Sequence, residues 1–163
     1  MLPSMTTVLP LLVALVACTD NSPEAQATRT WVHDLQPILL ENTRLAEHVL
    51  WTASDLHDKR TEPEAARQVW AEAVVPTARQ LTFQLEVIHA PDQWAARQTS
   101  LEQIWGERAT AYEEVQTALE SGDRKQWQVG RERSMNAKLR EEKWFDTINQ
   151  ELAPYHLTLD QYP

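Results

Sequence analysis

Apolar residues recur along this chain at alternating spacings of four and three positions. The first series begins at Trp31 and Leu35 and ends at Leu56. This period matches one face of an α-helix and not the strict alternation of a half-buried β-strand. The pattern therefore predicts four amphipathic helices that bury their apolar faces against one another. The apolar series occupy residues 31–56, 69–88, 94–119 and 127–152.

The first helix has two candidate starting points. Ser22 followed by Pro23 is typical of an N-cap and a first helical position. Pro37 lacks the N–H group that a helix interior uses, and it would interrupt a helix that began so early. Asp34 is then the alternative start. Both starts remain open from the sequence.

Short turns separate the other helices. Thr61 and Glu64 match a capping box at the start of the second helix, and Pro76 predicts a kink within it. Gly122 suits the left-handed position that ends the third helix, and Asp123 is expected to cap the fourth. Four helices of roughly 28 to 35 residues joined by short turns predict an all-α, up-down antiparallel four-helix bundle roughly 40 Å long.

The charges favour a neighbouring third and fourth helix. Residues 92–123 hold seven acidic and two basic residues, whereas residues 124–153 hold five acidic and seven basic ones. Two basic rows on the fourth helix are expected to pair with third-helix acids such as Glu107, Glu113 and Glu114. The alternative is contact with an acidic partner or with lipid phosphates. The rows consist of Arg124, Arg131 and Lys138, and of Arg133 and Arg140.

An uncharged apolar segment precedes the helices. It extends from Val8 to Cys18, the single cysteine of the chain, and residues 1–17 contain no charged side chain. Such a segment is typical of an export signal, and it is about half as long as the roughly 20 residues that span a membrane. Its end, Leu15-Val16-Ala17-Cys18, resembles the lipobox of bacterial lipoproteins.

The resemblance implies lipidation of Cys18. In that family the thiol is diacylated, the chain is cleaved before the cysteine, and the new amino terminus is acylated. Several acyl chains hold a protein firmly at a bilayer, whereas one chain binds only marginally. In enterobacterial lipoproteins an Asp directly after the cysteine favours the inner membrane, and here that residue is Thr19. The resemblance therefore implies an outer-membrane anchor facing the periplasm.

These signals divide the chain into four parts. Residues 1–17 are predicted to be the signal peptide, and residues 18–30 the lipidated cysteine with a short tether. Residues 31–153 are predicted to form the bundle, and residues 154–163 an extended tail. We expect the tail to lie as a strap on the bundle, with a docking peptide for a partner as the alternative.

Composition disfavours several function classes. A formal net charge of −9 disfavours nucleic-acid binding, which needs a clustered basic face. Once Cys18 carries lipid, no thiol remains for a disulfide, a cysteine–zinc site, a nucleophile or covalent haem attachment. Three scattered glycines cannot supply a phosphate loop, a dinucleotide turn or a nucleophile elbow. Neither an enzymatic activity nor a cofactor is predicted.

Two features are candidates for binding. Glu86 and His89 form a Glu-x-x-His sequence, but ferritin-like di-iron bundles use two such motifs, so a metal or haem site is the competing hypothesis. Each predicted helix carries at least one of the seven tryptophans, and most of them fit the apolar series. Trp51 and Trp144 fit less well and are candidates for contact with a partner or with lipid headgroups.

The favoured hypothesis is a non-enzymatic, membrane-anchored scaffold or accessory subunit of an envelope complex. The alternatives are a haem- or metal-binding bundle and an inhibitor or immunity lipoprotein. Asn42 and Gln98 interrupt apolar series, and we expect both to be buried polar residues that fix helix register. The predicted partner-binding residues are Trp51, Trp144, Arg124, Arg131, Arg133, Lys138 and Arg140.

Overall fold

A computed structural model describes residues 22–58 and 60–160 and confirms the all-α, four-helix bundle fold class. The second helix is divided, so that α2, a π-helical turn and α3 form one continuous arm of the bundle. The elements are α1 (Pro23–His57), α2 (Pro63–Val69), the π-helical turn (Trp70–Val74), α3 (Val75–Glu86), α4 (Asp92–Ser121), α5 (Arg124–Leu152) and a final 3-10 turn (Ala153–Tyr155).

Helix α1 takes the earlier of its two candidate starts. The Ser22 hydroxyl oxygen accepts a hydrogen bond from the Ala25 amide at 3.1 Å, and the helix continues through Pro37. Residues 23–30, which the sequence assigned to a tether, are therefore part of the bundle. The physical reason is tertiary, because Thr28 is buried and its hydroxyl accepts a hydrogen bond from the Trp94 indole at 2.9 Å.

The start of the second arm differs from its sequence prediction. Glu62 is the N-cap of α2 and makes no side-chain capping bond, so the capping box of Thr61 and Glu64 is wrong by position. Because Pro63 takes the first helical position, Thr61 lies one residue before the N-cap. Pro76 does interrupt the arm, in the form of the π-helical turn that directly precedes α3.

Helices α4 and α5 are the most closely packed pair. Gly130 makes this approach possible, because a Cβ atom built there would lie 2.8 Å from Val115 Cγ2 and 3.1 Å from the Ala111 carbonyl oxygen. Buried Ala137 continues the same face of α5. Helices α1 and α5 pack less closely. The polar cluster, the cleft and the C-terminal strap described below lie along this α1/α5 seam.

One end of the bundle is defined by Thr28, Trp31, Trp94 and Tyr155, and we call it the proximal end. The Trp31 and Trp94 rings stack with centroids 5.6 Å apart, and the Tyr155 ring meets Trp94 edge-on at 6.0 Å. Buried Gln98 accepts a hydrogen bond from the Trp31 indole at 2.9 Å and donates one to the Leu85 carbonyl at 3.1 Å. It thereby links α1, α3 and α4, as expected of a register-fixing residue.

The tail lies along the seam between α1 and α5 at the proximal end. The Asn149 side chain accepts a hydrogen bond from the Leu159 amide at 2.8 Å and donates one to the Leu159 carbonyl at 3.1 Å. Gln36 on α1 pairs in the same way with the backbone of Asp160, at 2.9 and 2.8 Å. Because Leu159 is buried between them, residues 154–160 form a strap that joins the two helices.

Candidate functional site

A buried cluster of polar side chains occupies the middle of the bundle. Arg108 on α4 and Glu141 on α5 are 4% and 7% exposed, and Arg108 Nη1 donates to Glu141 Oε2 at 2.5 Å. Asn42 on α1 joins them, because its Nδ2 donates to Glu141 Oε1 at 2.8 Å and its Oδ1 accepts from Arg108 Nη2. The cluster therefore links three of the four arms.

Tryptophan completes the cluster. Trp105 Nε1 donates to Glu141 Oε1 at 2.5 Å, so both oxygens of this carboxylate accept hydrogen bonds. The Arg108 guanidinium also lies over the Trp105 ring, 5.6 Å from its centroid. A buried carboxylate is tolerated only when its charge is paired and its lone pairs are used. Glu141 meets both conditions, and the pair as a whole is electrically neutral.

The cluster forms the floor of a cleft between α1 and α5, which we call the α1/α5 cleft. Its volume is about 310 Å³. Tyr112 reaches this floor from α4, and its ring is held edge-on by Trp70 at 5.6 Å. Burial raises the pKa of the Tyr112 hydroxyl, and the nearby Glu141 carboxylate acts in the same direction, while Arg108 opposes them. The hydroxyl is therefore protonated at neutral pH and available as a donor.

Large apolar side chains are exposed on the two helices that border this cleft. Leu50 and Trp51 on α1 are 63% and 68% exposed, and Met135 and Leu139 lie half-exposed on α5. Leu50 and Met135 both line the cleft, so they face each other across it. We call these four residues the apolar rim. Exposed apolar residues that form a contiguous patch are typical of interaction sites.

A larger groove of about 590 Å³ lies between α1 and α3. Its lining is mixed and contains four acidic or glutamine side chains, Thr77 and five apolar residues: Pro37, Ile38, Leu81, Val87 and Ile88. None of the buried polar side chains of the described chain lines it. It offers volume without the convergent polar groups that mark a binding site, so the α1/α5 cleft is the better candidate.

The two predicted surface tryptophans differ in the structure. Trp51 is exposed, as a partner-binding residue must be. The prediction for Trp144 is wrong, because its ring is 5% exposed, packs edge-on against Phe145 and donates a hydrogen bond from Nε1 to the Arg97 carbonyl at 2.8 Å. Trp144 is therefore a core residue at the interface of α4 and α5.

The predicted basic rows of α5 separate into two groups. Arg133 pairs with Glu114 and Arg140 with Glu107, which are intramolecular contacts to α4. Both pairs lie on the surface of the bundle, with the Arg133 and Arg140 side chains 60% and 47% exposed, and their contact with a partner stays a prediction. Glu107 and Glu114 were thus correctly predicted to pair with the basic rows. The third predicted acid, Glu113, pairs instead with Arg79 on α3 at 2.7 Å.

The other three basic residues form no ion pair with α4 within the described residues. Lys138 lines the α1/α5 cleft and is 3.7 Å from the Glu142 carboxylate. Arg131 lies over the ring of Trp127, 5.6 Å from its centroid. Arg124 is exposed at the first position of α5. These residues are dispersed along the helix, and only Lys138 belongs to the candidate site.

Glu86 and His89 are both exposed at the end of α3, beside a shallow groove against α4. Within residues 22–58 and 60–160, no three His, Cys, Asp or Glu side chains converge as a metal site would require. The same part of the chain contains no helix with the length and apolarity needed to traverse a bilayer. The predicted lipidation at Cys18 lies outside the described residues.

Three residues of the site were missed in the sequence. Arg108 follows Leu101 and Trp105 at the spacing of the apolar series, and Glu141 stands between Ala137 and Trp144 in the same way. A charged residue at a core position of a helix was the available signal. Tyr112 gave no such signal, because a tyrosine is ordinary in an apolar series.

Comparison with known protein families, with curated proteins and with solved structures found no match to this chain.

Proposed function

We propose that this chain is a lipid-anchored lipoprotein of the cell envelope that serves as a non-enzymatic docking subunit for another envelope protein. The anchor is Cys18, by the resemblance of Leu15-Val16-Ala17-Cys18 to a lipobox. The observation that carries the docking role is the apolar rim, in which Leu50 and Trp51 expose most of their apolar surface to solvent.

The start of α1 at Pro23 supports a close attachment to the membrane. The link from Cys18 to Pro23 reaches about 18 Å when fully extended. The proximal end of the bundle would therefore be held at the bilayer of an outer membrane, facing the periplasm. Leu50 lies about 40 Å further along α1. With α1 directed away from the bilayer, the apolar rim would be available to a protein, and Trp51 would lie beyond the lipid headgroups.

The composition of the rim is that of a protein interface. Tryptophan and methionine are enriched at the centres of interfaces, where apolar side chains of a partner cover them. Because Arg133 and Arg140 are already paired with acidic residues of α4, we place the docking surface at the apolar rim. The proposal requires no cofactor and no catalytic group.

Site-specific cross-linking tests the docking role. A photo-reactive benzoylphenylalanine replaces Trp51 in one variant and Leu139 in another, and the control carries it at Gln103, an exposed residue of α4 outside the rim. We expect the same cross-linked protein from positions 51 and 139 and none from position 103. Equal adducts at all three positions, or no adduct at either rim position, would contradict the proposal.

Two further results would refine or refute it. The identity of the cross-linked protein separates an accessory subunit of an envelope complex from an inhibitor of an envelope enzyme. Cys18→Ser is expected to release the protein from the membrane fraction. Unchanged fractionation would contradict the anchor while leaving the docking role open to the cross-linking result.

A further inference from the structure

The strap of residues 154–160 is held mainly through its backbone. The Asn149 side chain accepts a hydrogen bond from the Leu159 amide and donates one to the Leu159 carbonyl, at 2.8 and 3.1 Å. Gln36 makes the same two bonds with Asp160, at 2.9 and 2.8 Å. Successive residues of an extended segment direct their backbone groups to opposite sides, so one clamp lies on each flanking helix. These four hydrogen bonds recognise an extended backbone, whatever its side chains.

One side chain of the strap is almost fully enclosed. Leu159 is 2% exposed and belongs to the hydrophobic core, whereas its neighbours Thr158 and Asp160 are exposed. We call the part of the α1/α5 seam that holds Leu159 between Gln36 and Asn149 the strap groove. It binds an extended segment that carries a leucine at one fixed position. Sites at sheet edges bind peptides by the same division, in which main-chain hydrogen bonds give affinity and a side-chain pocket gives specificity.

The strap reaches this groove by a tight reversal after α5. The 3-10 turn Ala153–Tyr155 ends at His156, whose φ is 57°. Within residues 22–58 and 60–160, His156 is the one non-glycine residue with a positive φ. In that conformation the Cβ atom lies close to the following carbonyl oxygen, so the closed hinge costs free energy that an extended hinge does not.

The same segment of a second copy satisfies the strap groove without any change in chemistry. If two copies exchange straps, each groove keeps its four backbone hydrogen bonds and its buried leucine, while each His156 is free to leave the left-handed conformation. Residues 153–159 span about 23 Å when extended. Neighbouring helices pack roughly 8–10 Å apart, so this length reaches the groove of a copy that faces it. Exchange of an identical element is a low-cost route to a symmetric dimer.

We propose that the strap groove is an interface between two copies of this chain, in which each copy inserts Leu159 of its strap into the groove of the other. The interface lies at the proximal end of the bundle, whereas Leu50 of the apolar rim lies about 21 Å further along α1 than Gln36. The inference goes beyond the docking role and requires neither a membrane nor another protein. The two proposals therefore fail independently.

Complementation between two variants tests the exchange. The groove variant, Gln36→Ala/Asn149→Ala, keeps an intact strap and lacks the clamps, while the strap variant, Leu159→Asp, keeps an intact groove and has a strap that resists burial. Both are made in the full chain carrying Cys18→Ser, so that neither a disulfide nor an acyl chain joins two copies. Analytical ultracentrifugation measures the mass. We expect monomers of each variant alone and a 1:1 dimer in the mixture, where the strap of the groove variant occupies the groove of the strap variant.

The combined variant Gln36→Ala/Asn149→Ala/Leu159→Asp is the matched control. It carries neither a competent groove nor a competent strap, so its mixture with the strap variant should form no dimer. A dimer formed through the apolar rim would appear in every sample alike, because none of these substitutions touches the rim. Circular dichroism and thermal unfolding establish that each variant folds. A mixture of groove and strap variants that stays monomeric, or that dimerises no more than the control mixture, would overturn the proposal.

Two substitutions at His156 test the hinge with an intact groove and strap. His156→Gly adopts a positive φ without steric cost, so it should lower the dimer association constant about tenfold. His156→Val tolerates that conformation least, because valine is β-branched, and it should raise the constant about tenfold. Position 156 is exposed, so neither change alters the core, and this comparison still decides the question if Leu159→Asp fails to fold. Dimerisation that does not increase from glycine through histidine to valine would contradict exchange of the strap.

Discussion

Arg108 and Glu141 form an ion pair across the interface of α4 and α5, with Nη1 and Oε2 2.5 Å apart and both side chains almost fully shielded from water. The pair is held from three sides, because Asn42 bonds both partners and Trp105 bonds the carboxylate. Charges buried in this way contribute little net stability as a pair, yet removing one partner leaves the other unpaired in the core.

This asymmetry predicts different stabilities for a variant that lacks one partner and a variant that lacks both. Glu141→Leu alone should lower the free energy of unfolding by about 3–5 kcal/mol, because it leaves the Arg108 guanidinium buried without its counter-charge. The double variant Arg108→Met/Glu141→Leu should recover part of that loss, because the Asn42 and Trp105 donors still lack the carboxylate that accepted their hydrogen bonds. Urea denaturation of the two variants measures the difference. A double variant no more stable than Glu141→Leu would show that packing at position 141, and not the charge, dominates.

The pH dependence of stability should reflect Tyr112. Because burial raises its pKa above 10.0, the folded state retains the phenolic proton after the unfolded state has lost it. The contribution of Tyr112 to the free energy of unfolding is therefore fully present below the pKa of the unfolded state. It declines as the pH rises from there through the raised pKa of the folded state. Between about pH 9 and about pH 11, the wild type should lose more unfolding free energy than Tyr112→Phe. Parallel losses in the two proteins would contradict the effect.

Two glycines in neighbouring helices should respond in opposite directions to alanine. Gly106→Ala places a methyl group where no atom lies within 4 Å, and it should stabilise α4 by about 0.5–1 kcal/mol. In Gly130→Ala the new methyl group would clash with Val115 and the Ala111 carbonyl and push α5 away from α4. This should lower the free energy of unfolding by about 1–2 kcal/mol. Denaturation midpoints of the two variants provide the comparison. A stabilising Gly130→Ala would show that the helices are less tightly packed than described.

The strap should detach when its amide clamp is removed. Asn149→Ala removes both hydrogen bonds to the Leu159 backbone, so hydrogen exchange of the Leu159 amide should accelerate about fivefold or more. Asn136→Ala, at an exposed position of the same helix, is the matched control and should leave that amide unchanged. Unaltered exchange in Asn149→Ala would show that burial of Leu159 alone holds the strap.

Helix boundaries were accessible from the sequence where the signal was local. Asp123 caps α5 by accepting hydrogen bonds from the Lys125 and Gln126 amides at 2.9 and 3.0 Å, and Gly122 takes the left-handed conformation with φ of 74°. Both depend only on residues close in the chain. The start of α1 depends on a distant residue, because the hydrogen bond from Trp94 to Thr28 stabilises the first turns of the helix. Pro37 alone favoured the later start at Asp34.

The candidate site was harder to predict from the sequence, because it too depends on residues that are far apart in the chain. Periodicity identifies which face of a helix is apolar, but it does not identify which neighbour covers that face. Trp51 and Trp144 looked alike in the sequence, and only the packing of α4 and α5 left one exposed and buried the other. Asn42 was recognisable as a buried polar residue, while its partners Arg108 and Glu141 were not.

The sequence by itself determined the helical character of this protein, the number of its arms, two of its caps and the apolar segment that ends at Cys18. Each of these depends only on the spacing of apolar residues or on residues adjacent in the chain. Tertiary structure alone decided the closeness of α4 to α5, the width of the α1/α5 seam and the polar cluster beneath it. Those features arise from side chains far apart in the chain, whose meeting depends on how whole helices pack.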